Sequence, residues 1–242
     1  MGWIVRNMIV LLLESQYTKK RAMRKQLGIV ITGGEGPEPD RLGRMVNGMA
    51  EKPLLVAADS GLILAEAAGL TPDWIIGDMD SLGDESRLRA YPAERIIRYA
   101  GQKDHSDTEL ALALLWEKGC GETWIAGGGG GRLDHLFGIR DLFERESFPC
   151  RWITAAEDIY CIDSAANNCL SVNRTPGYTV SVFVLGGGPW KAESRGLQWP
   201  LDNVYWERGL YGLSNVAVEN TITISAAQGR FMVVLEEHGD NY

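Results

Sequence analysis

The pattern of apolar and polar residues divides the chain into two parts of different character. Between residues 27 and 163, short apolar runs alternate with segments whose apolar residues recur at helical spacing. Beyond residue 163, polar and apolar residues alternate, as in GYTVSVFVLGG (177–187) and RFMVVLEEH (230–238), between Gly- and Pro-bearing turns. We therefore predict an α/β domain over 27–163, with a mostly parallel sheet flanked by helices, and a smaller antiparallel β-sandwich domain over 164–242.

Five apolar runs predict the strands of the parallel sheet, and the segments between them predict its helices. The runs are LGIVITGG (27–34), PLLVAADSG (53–61), DWIIGDMDS (73–81), ERIIRYAG (94–101) and ETWIAGGGGG (122–131), and RWITAAEDIYCID (151–163) adds one or two strands. Helices are predicted over 39–52, 62–70, 84–91, 106–119 and 132–147. Such alternation is typical of β-α units wound into one sheet.

The first 26 residues have the character of an extension that precedes the folded domains. An apolar run from Met8 to Leu13 is too short to span a bilayer. It leads into Glu14 and a basic cluster, whereas a signal peptide ends in small residues at a cleavage site. We expect a cytoplasmic protein that does not associate with membranes.

The charge and composition limit the classes of partner. The 242-residue chain is 45% apolar, enough for a substantial core, and has 32 acidic against 24 basic residues, a formal net charge of -8. This balance argues against binding a nucleic-acid backbone, because such proteins carry a basic face. It still allows a single nucleotide whose charge a metal ion offsets. The four cysteines form no C-x-x-C pair, and we expect them to be thiols in a reducing compartment.

Polar side chains cluster where the predicted strands end. Because open parallel sheets bind ligands beyond the carboxyl ends of their strands, these residues are candidates for one shared site. They are Asp59, Ser60, Asp78, Asp80, Lys103, Asp104, Asp107, Gly130, Gly131, Arg132, Asp134 and His135.

The chemistry of these residues points to a polyphosphate site. Asp78 and Asp80, with Asp107 from a neighbouring loop, offer the hard oxygen ligands that suit Mg²⁺. The glycine run 127–131 lets backbone N–H groups approach phosphate oxygens, and Arg132 directly after it can bind a phosphate bidentately. Each feature alone has a plainer interpretation: a helix cap, a turn or a flexible loop. The P-loop and dinucleotide-binding motifs are absent from the sequence.

Six short motifs, in order, carry a resemblance to a known family. They are ADSG (58–61), GDMDS (77–81), KDHSDTE (103–109), GGGGGRLDH (127–135), RGLQWPL (195–201) and LSN (213–215). Any one of them is weak, but the ordered set, its spacing and the α/β-then-β layout resemble the thiamine pyrophosphokinase family from about Leu27 to the C-terminus.

The resemblance implies an activity and a set of functional residues. Members of the family transfer the diphosphoryl group of ATP to the hydroxyl of thiamine, as homodimers whose active sites combine the α/β domain of one subunit with the β domain of the other. The metal-binding aspartates correspond to Asp78, Asp80 and Asp107, which are with Arg132 the expected catalytic residues. A second element corresponds to Gly131, Arg132, Asp134 and His135, near nucleotide and substrate. Together with these four, the expected nucleotide-binding residues are Asp59, Ser60, Lys103, Asp104 and Gly130.

The second domain is expected to bind thiamine. The resemblance places Ser214 and Asn215 beside the thiamine pocket across the dimer. Trp199 could offer an aromatic face to the thiamine cation, and so could Trp206, although a core or interface role is the commoner one for both.

Some roles and alternatives stay open at this point. Arg132 or Lys103 could stabilise the transferred phosphoryl oxygens, and Asp104, Asp107 or Asp134 could accept the proton of the alcohol. The family often has a bulkier residue at Gly129 and an asparagine at Ile139, which makes thiamine specificity less secure than diphosphoryl transfer. The alternatives are a diphosphokinase of another heteroaromatic, pterin-like alcohol, a non-catalytic thiamine-phosphate or nucleotide-binding protein and, more distantly, a metal-dependent phosphohydrolase.

Overall fold

The computed structural model describes residues 26–99 and 105–237. The predicted N-terminal extension, apart from Gln26, lies outside these residues, and so do two predicted nucleotide-binding residues, Lys103 and Asp104. The described residues contain no helix with the length and hydropathy needed to cross a membrane.

The chain divides into two compact units. The first holds the described residues up to Leu142, with Glu146–Pro149 and Ile153–Ala155, and the second holds Phe143–Arg145, Cys150–Trp152 and the described residues from Ala156 onwards. The strand-like segment 151–163 forms two strands, β6 (Arg151–Ile153) and β7 (Glu157–Asp163). The second unit includes β7, which the sequence pattern had grouped with the first domain, because β7 pairs antiparallel with the last strand of the chain.

The first unit is built on five parallel strands. They are β1 (Leu27–Thr32), β2 (Leu54–Ala58), β3 (Trp74–Gly77), β4 (Ile96–Arg98) and β5 (Glu122–Ala126), in the spatial order β5-β1-β2-β3-β4. The helices are α1 (Pro39–Asn47), α2 (Gly61–Ala67), α3 (Asp107–Lys118) and α4 (Leu133–Leu142). The parallel pairing and the four helices confirm the predicted, mostly parallel sheet flanked by helices, whose strands read as continuous apolar runs.

Local sequence explains where the elements of this unit begin. Helix α3 starts in a capping box: the Ser106 hydroxyl accepts from the Glu109 N–H, and the Glu109 carboxylate accepts from the Ser106 N–H. Gly119 ends the helix at φ 94°, a left-handed conformation that suits glycine. The segment 84–91 was predicted as a helix and forms a 3₁₀ turn over Glu85–Ala90, where Leu88 is its buried side chain. One buried position is too few for an amphipathic α-helix.

The second unit is an antiparallel β-sandwich. Its further strands are β8 (Cys169–Asn173), β9 (Thr179–Leu185), β10 (Lys191–Arg195), β11 (Tyr211–Val216), β12 (Thr221–Gln228) and β13 (Arg230–Glu236). One layer of the sandwich is formed by strands in the order β11-β9-β13-β7 and the other by the sheet β10-β12-β8. Side chains from both sheets share one core, for example Val182 and Phe231 from the first and Ile224 from the second. The predicted sandwich is thereby confirmed.

Candidate active site

Three aspartates meet at the carboxyl edge of the parallel sheet. One carboxylate oxygen of each of Asp59, Asp78 and Asp107 lies within 4.8 Å of the others, and all three residues are half-buried. Asp59 follows β2, Asp78 follows β3, and Asp107 is the first residue of α3. The three charges repel one another, and a divalent cation is the partner that would relieve that repulsion.

Close backbone packing brings the three carboxylates together. The pairing of β2 with β3 sets Ala58 opposite Ile76, and the Asp59 N–H continues the ladder by donating to the Ile76 carbonyl at 2.8 Å. Gly77 lies directly against the cluster: a Cβ there would stand 3.2 Å from the Asp59 Cβ and 3.3 Å from the Asp107 Oδ1. A glycine at this position therefore leaves the space that two of the three aspartates need.

Asp80 lies beside this group of described residues and does not belong to it. It is fully exposed, at the start of the 3₁₀ turn Asp80–Leu82, and its N–H donates to the Asp78 Oδ1 at 3.2 Å. A hydrogen bond to the Asp78 carboxyl and repulsion from its charge raise the pKa of Asp80. The structure thus joins Asp59 to Asp78 and Asp107, whereas the role of Asp80 as a metal ligand stays a prediction.

Ser81 is a site residue that the sequence reasoning did not select. Its hydroxyl donates a hydrogen bond to the Asp59 Oδ2 across 22 residues of chain. The available signal was its place in the GDMDS motif, directly after the aspartate pair. Sequence alone could not show that this serine binds an aspartate from the preceding strand end.

The first three glycines of the run 127–131 hold the loop in place. The Gly127 N–H donates to the Ile153 carbonyl at 2.9 Å, and the Gly128 N–H donates to the Gly33 carbonyl at 2.8 Å. Gly129 forms an antiparallel bridge with Glu35, whose two hydrogen bonds measure 2.7 and 2.9 Å. These N–H groups are used within the first unit, so the predicted phosphate-binding role falls on the last part of the run.

Gly130 and Gly131 form that last part, in the predicted nucleotide-binding positions. Both have left-handed φ angles, 60° and 66°. A Cβ at Gly130 would overlap the carboxyl group of Glu35, whereas a Cβ at Gly131 would meet none of the described residues within 4 Å. Glu35 therefore packs against the glycine turn, and it is a second residue that sequence reasoning missed. The signal was the GGEG turn after β1, a strand end like those that were selected.

Arg132 and Asp134 form a bidentate ion pair at the start of α4. Arg132 Nε donates to Asp134 Oδ1 at 3.1 Å and Nη2 to Oδ2 at 2.6 Å, on an exposed surface. The hydrogen bonds of Arg132 lower the pKa of Asp134, and the same contact raises the pKa of Arg132. A phosphate bound by Arg132 has to compete with Asp134 for the guanidinium group. The neighbouring His135 is exposed, and its N–H donates to the Asp134 Oδ1 at 3.1 Å.

Two hydroxyl side chains lie near the ends of β1 and β2. Ser60 occupies the N-cap position of α2 without capping it, and its Oγ faces Gly33, where a Cβ would overlap it. The hydroxyl groups of Thr32 and Thr108 form a hydrogen bond of 2.9 Å, which connects the end of β1 to the first turn of α3. Only Ser60 was among the predicted nucleotide-binding residues.

In the second unit, Asn215 fastens the segment that carries Trp199. The Asn215 amide nitrogen donates to the Trp199 carbonyl at 2.7 Å, and its Oδ1 accepts from the N–H groups of Trp199 at 3.1 Å and Val216 at 2.9 Å. Asn215 is 5% exposed, whereas the Trp199 side chain is 56% exposed. Ser214 has a left-handed φ of 56°, and its N–H donates to the Ser181 hydroxyl at 3.1 Å. Trp206, in contrast, is a core residue stacked edge-on against Phe231.

Comparison with known proteins places both units in one family. The family model described as "Thiamin pyrophosphokinase, catalytic domain" matches residues 46–151, and "Thiamin pyrophosphokinase, vitamin B1 binding domain" matches residues 167–231. The chain belongs to the thiamine pyrophosphokinase family, and the predicted membership is confirmed.

A curated relative and several solved structures agree with this assignment. The chain is 34% identical over 115 residues to the thiamine pyrophosphokinase of Bacillus subtilis (strain 168), a match that spans 47% of the chain and about half (52%) of the relative. The crystal structure of a B. subtilis thiamine pyrophosphokinase has a TM-score of 0.71 at 23% identity, covering 89% of this chain and 100% of that one. The Candida albicans enzyme has a TM-score of 0.63 at 14% identity, covering 92% and 90%. At these identities the structural matches establish the shared fold.

Proposed function

We propose that the chain is a thiamine pyrophosphokinase, which transfers the diphosphoryl group of MgATP to the hydroxyl of thiamine and yields thiamine diphosphate and AMP. The observation that carries the proposal is the group formed by Asp59, Asp78 and Asp107 at the carboxyl edge of the parallel sheet. That edge is where open α/β sheets bind their ligands. Membership of the family supplies the pair of substrates.

The donor set of this group fits Mg²⁺. Three carboxylates within 4.8 Å of one another offer hard, anionic oxygens, and their repulsion favours the arrival of a cation. Asp59, Asp78 and Asp107 would hold the ion, and Asp80 is a further candidate ligand because it adjoins Asp78. When bound, Mg²⁺ neutralises phosphate charge and aligns the diphosphoryl group for in-line transfer.

The glycine turn and its neighbours are proposed to bind the nucleotide. The backbone of Gly130 and Gly131 can approach phosphate oxygens, because glycine leaves the N–H groups uncovered. Arg132 supplies a guanidinium group that matches two phosphate oxygens once it leaves Asp134. Asp59, Ser60, Lys103, Asp104, Asp134 and His135 complete the proposed nucleotide-binding set.

The thiamine hydroxyl has to lose a proton as it attacks the β-phosphorus. Asp107 and Asp134, among the described residues, and Asp104 are the candidate bases. Single Asn variants at these three positions, compared by the pH dependence of kcat, identify the base: its variant loses the acidic limb of the profile. Equal pH profiles in all three variants would show that no single one of these carboxylates accepts the proton.

The β-sandwich is proposed to bind thiamine through Trp199, Ser214 and Asn215. The exposed Trp199 ring can stack on the thiazolium cation. Asn215 holds the Trp199 backbone in place, and Ser214 lies next to it in a left-handed turn. The match of residues 167–231 to a vitamin B1 binding domain supports this assignment.

We further propose that the protein is a cytoplasmic homodimer. Each unit exposes large apolar side chains: Leu133 and Phe137, 61% and 59% exposed, lie on α4 of the first, and Tyr205 and Leu213, 83% and 55% exposed, lie in the second. Exposed apolar surface of this kind is typical of a protein interface. Light scattering coupled to size exclusion should give twice the chain mass, whereas a single-chain mass contradicts the dimer.

The decisive test is an assay with MgATP and thiamine that follows AMP and thiamine diphosphate together. We expect both products to appear in equal amounts and only when thiamine is present. AMP release that is independent of thiamine would show a phosphohydrolase, and transfer to a pterin-like alcohol in preference to thiamine would show another diphosphokinase. Binding of thiamine phosphate or nucleotide without turnover would show a non-catalytic binding protein.

A further inference from the structure

The hydrogen bond from Ser81 to Asp59 joins two strand ends at the carboxylate cluster. Ser81 lies in the 3₁₀ turn Asp80–Leu82, between two buried side chains, Met79 and Leu82. Both belong to a core cluster that also contains Leu62 from α2. Because core packing anchors the turn on both sides of Asp80 and Ser81, the position of the serine hydroxyl is fixed by the fold.

Asp59 needs such an anchor more than an isolated aspartate does. Its carboxylate belongs to the group that brings it within 4.8 Å of Asp78 and Asp107, so repulsion tends to rotate it away. Its backbone has a left-handed φ of 51°, which is uncommon for a residue other than glycine. The serine hydroxyl binds one carboxylate oxygen, Oδ2, and this contact opposes that rotation.

The chemical nature of the donor matters. A lysine or arginine would hold Asp59 more strongly, but its positive charge would cancel one of the negative charges that attract a cation. A hydroxyl donates a hydrogen bond and leaves the charge of the cluster unchanged. Groups that orient a metal ligand in this way commonly change metal affinity by about 10–100-fold when they are removed.

We propose that Ser81 is a positioning residue that holds the Asp59 carboxylate in the orientation in which the cluster binds a divalent cation. The proposal rests on the proposed function, in which Asp59, Asp78 and Asp107 form the metal site. It predicts that metal affinity depends on the hydroxyl of Ser81 and that this dependence acts through Asp59.

The test measures Mn²⁺ binding to the full chain without nucleotide, by electron paramagnetic resonance of the free ion. Ser81→Ala should weaken binding by about 10–100-fold, and Ser81→Thr, which keeps a hydroxyl, should stay within about threefold of the wild type. Ser86→Ala is the matched control, because the Ser86 hydroxyl also donates to an aspartate, the Asp84 Oδ2 at 2.8 Å, outside the cluster. It should bind Mn²⁺ as the wild type does.

A double-mutant cycle separates positioning from a general structural effect. If Ser81 acts through Asp59, Ser81→Ala should weaken Mn²⁺ binding no further in an Asp59→Asn background. An additive loss in that background overturns the proposal, as does Mn²⁺ binding by Ser81→Ala within twofold of the wild type. If the wild-type chain binds no Mn²⁺, the metal site of the proposed function fails, and the role of Ser81 fails with it.

Discussion

Asp78→Asn should stabilise the metal-free protein and at the same time remove its response to Mg²⁺. Asparagine has nearly the shape of aspartate, and its Oδ1 can still accept the hydrogen bond that the Asp80 N–H donates. What changes is the charge. The substitution therefore isolates the electrostatic role of Asp78 within the group of three carboxylates.

The magnitude follows from the distances. Asp78 has a carboxylate oxygen within 4.8 Å of an oxygen of each of its two partners. At that separation the repulsion of one pair is about 1 kcal/mol in water and about 3 kcal/mol at an effective dielectric constant of 20. The aspartates are half-buried, so the repulsion lies between these limits, and two relieved pairs should raise the free energy of unfolding by about 2–6 kcal/mol. For a chain of this size, about 2–4 °C of Tm accompanies each kcal/mol.

Metal binding should favour the wild-type protein over the Asp78→Asn variant. An ion that binds only the folded state at 100 times its Kd adds about 2.7 kcal/mol of stability to the wild-type protein. In Asp78→Asn that gain should be lost, because one of the three anionic ligands is gone and the lower negative charge of the group attracts a cation less strongly. The order of stability should thus depend on the metal: the variant unfolds later than the wild type in chelator, and its advantage shrinks or reverses in Mg²⁺.

The assay is thermal unfolding with and without MgCl₂ at constant ionic strength, with Asp80→Asn beside Asp78→Asn. Asp80 is fully exposed and outside the group, so its variant should gain less stability in chelator and keep part of the Mg²⁺ response. The reasoning is refuted if Asp78→Asn is no more stable than the wild type in chelator and is still stabilised by Mg²⁺. A Mg²⁺ response lost equally in both variants would instead support Asp80 as a ligand.

Three further substitutions test other parts of the structure. Gly130→Ala should weaken ATP binding, measured by calorimetry, because its Cβ would overlap the Glu35 carboxyl group. Adding Glu35→Ala to the same chain should restore part of the lost ATP affinity, and if the affinity does not recover, backbone strain alone is responsible. Asn215→Ala removes three hydrogen bonds of a buried amide and should lower the free energy of unfolding in urea by about 2–4 kcal/mol. It should also raise the KM for thiamine, whereas a change in the KM for ATP instead would contradict the proposed place of the thiamine pocket. Gly61→Ala should lower the free energy of unfolding by more than about 3 kcal/mol, because its Cβ would overlap the Ile31 carbonyl. A Cβ at Gly138 meets no described atom within 4 Å, so Gly138→Ala should be tolerated, and equal effects of the two substitutions would contradict the packing argument.

The sequence predicts where the site lies better than it predicts which residues form the carboxylate group. Apolar runs that end in aspartate and glycine place Asp59, Asp78 and the glycine run at one edge of a parallel sheet, and the structure has them there. Which aspartates meet depends on the register of β2 against β3, which sets Ala58 opposite Ile76. Apolar strands buried on both faces carry no alternation from which that register could be read. Asp59 therefore entered the sequence reasoning as a nucleotide ligand, without its place in the carboxylate group.

Long-range pairing explains the other differences. The glycine run looks like five equivalent N–H donors in the sequence, but the turn at Gly33 and Glu35, far away along the chain, engages two of them. The predicted place of Asn215 beside thiamine stays a prediction, and the sequence did not indicate that its amide binds the backbone of Trp199. In both cases the partner is distant in sequence, and motif spacing carries no information about it. Strands β8 and β10 were not predicted for a local reason: each has a single buried side chain, so its sequence shows no clear alternation of apolar and polar residues.

The carboxylate cluster and the stability of the first unit are coupled through the same contacts. Asp59 is held by the β2–β3 ladder and by Ser81, and Asp107 by the capped start of α3. Gly77 supplies the space between them. Asp59 and Asp107 are thus held by elements of the fold before any cation arrives, and the fold bears the repulsion between them. The proposed metal site is preorganised in this sense: binding a cation would release repulsion and require little ordering of the chain, since that ordering was completed when the sheet formed.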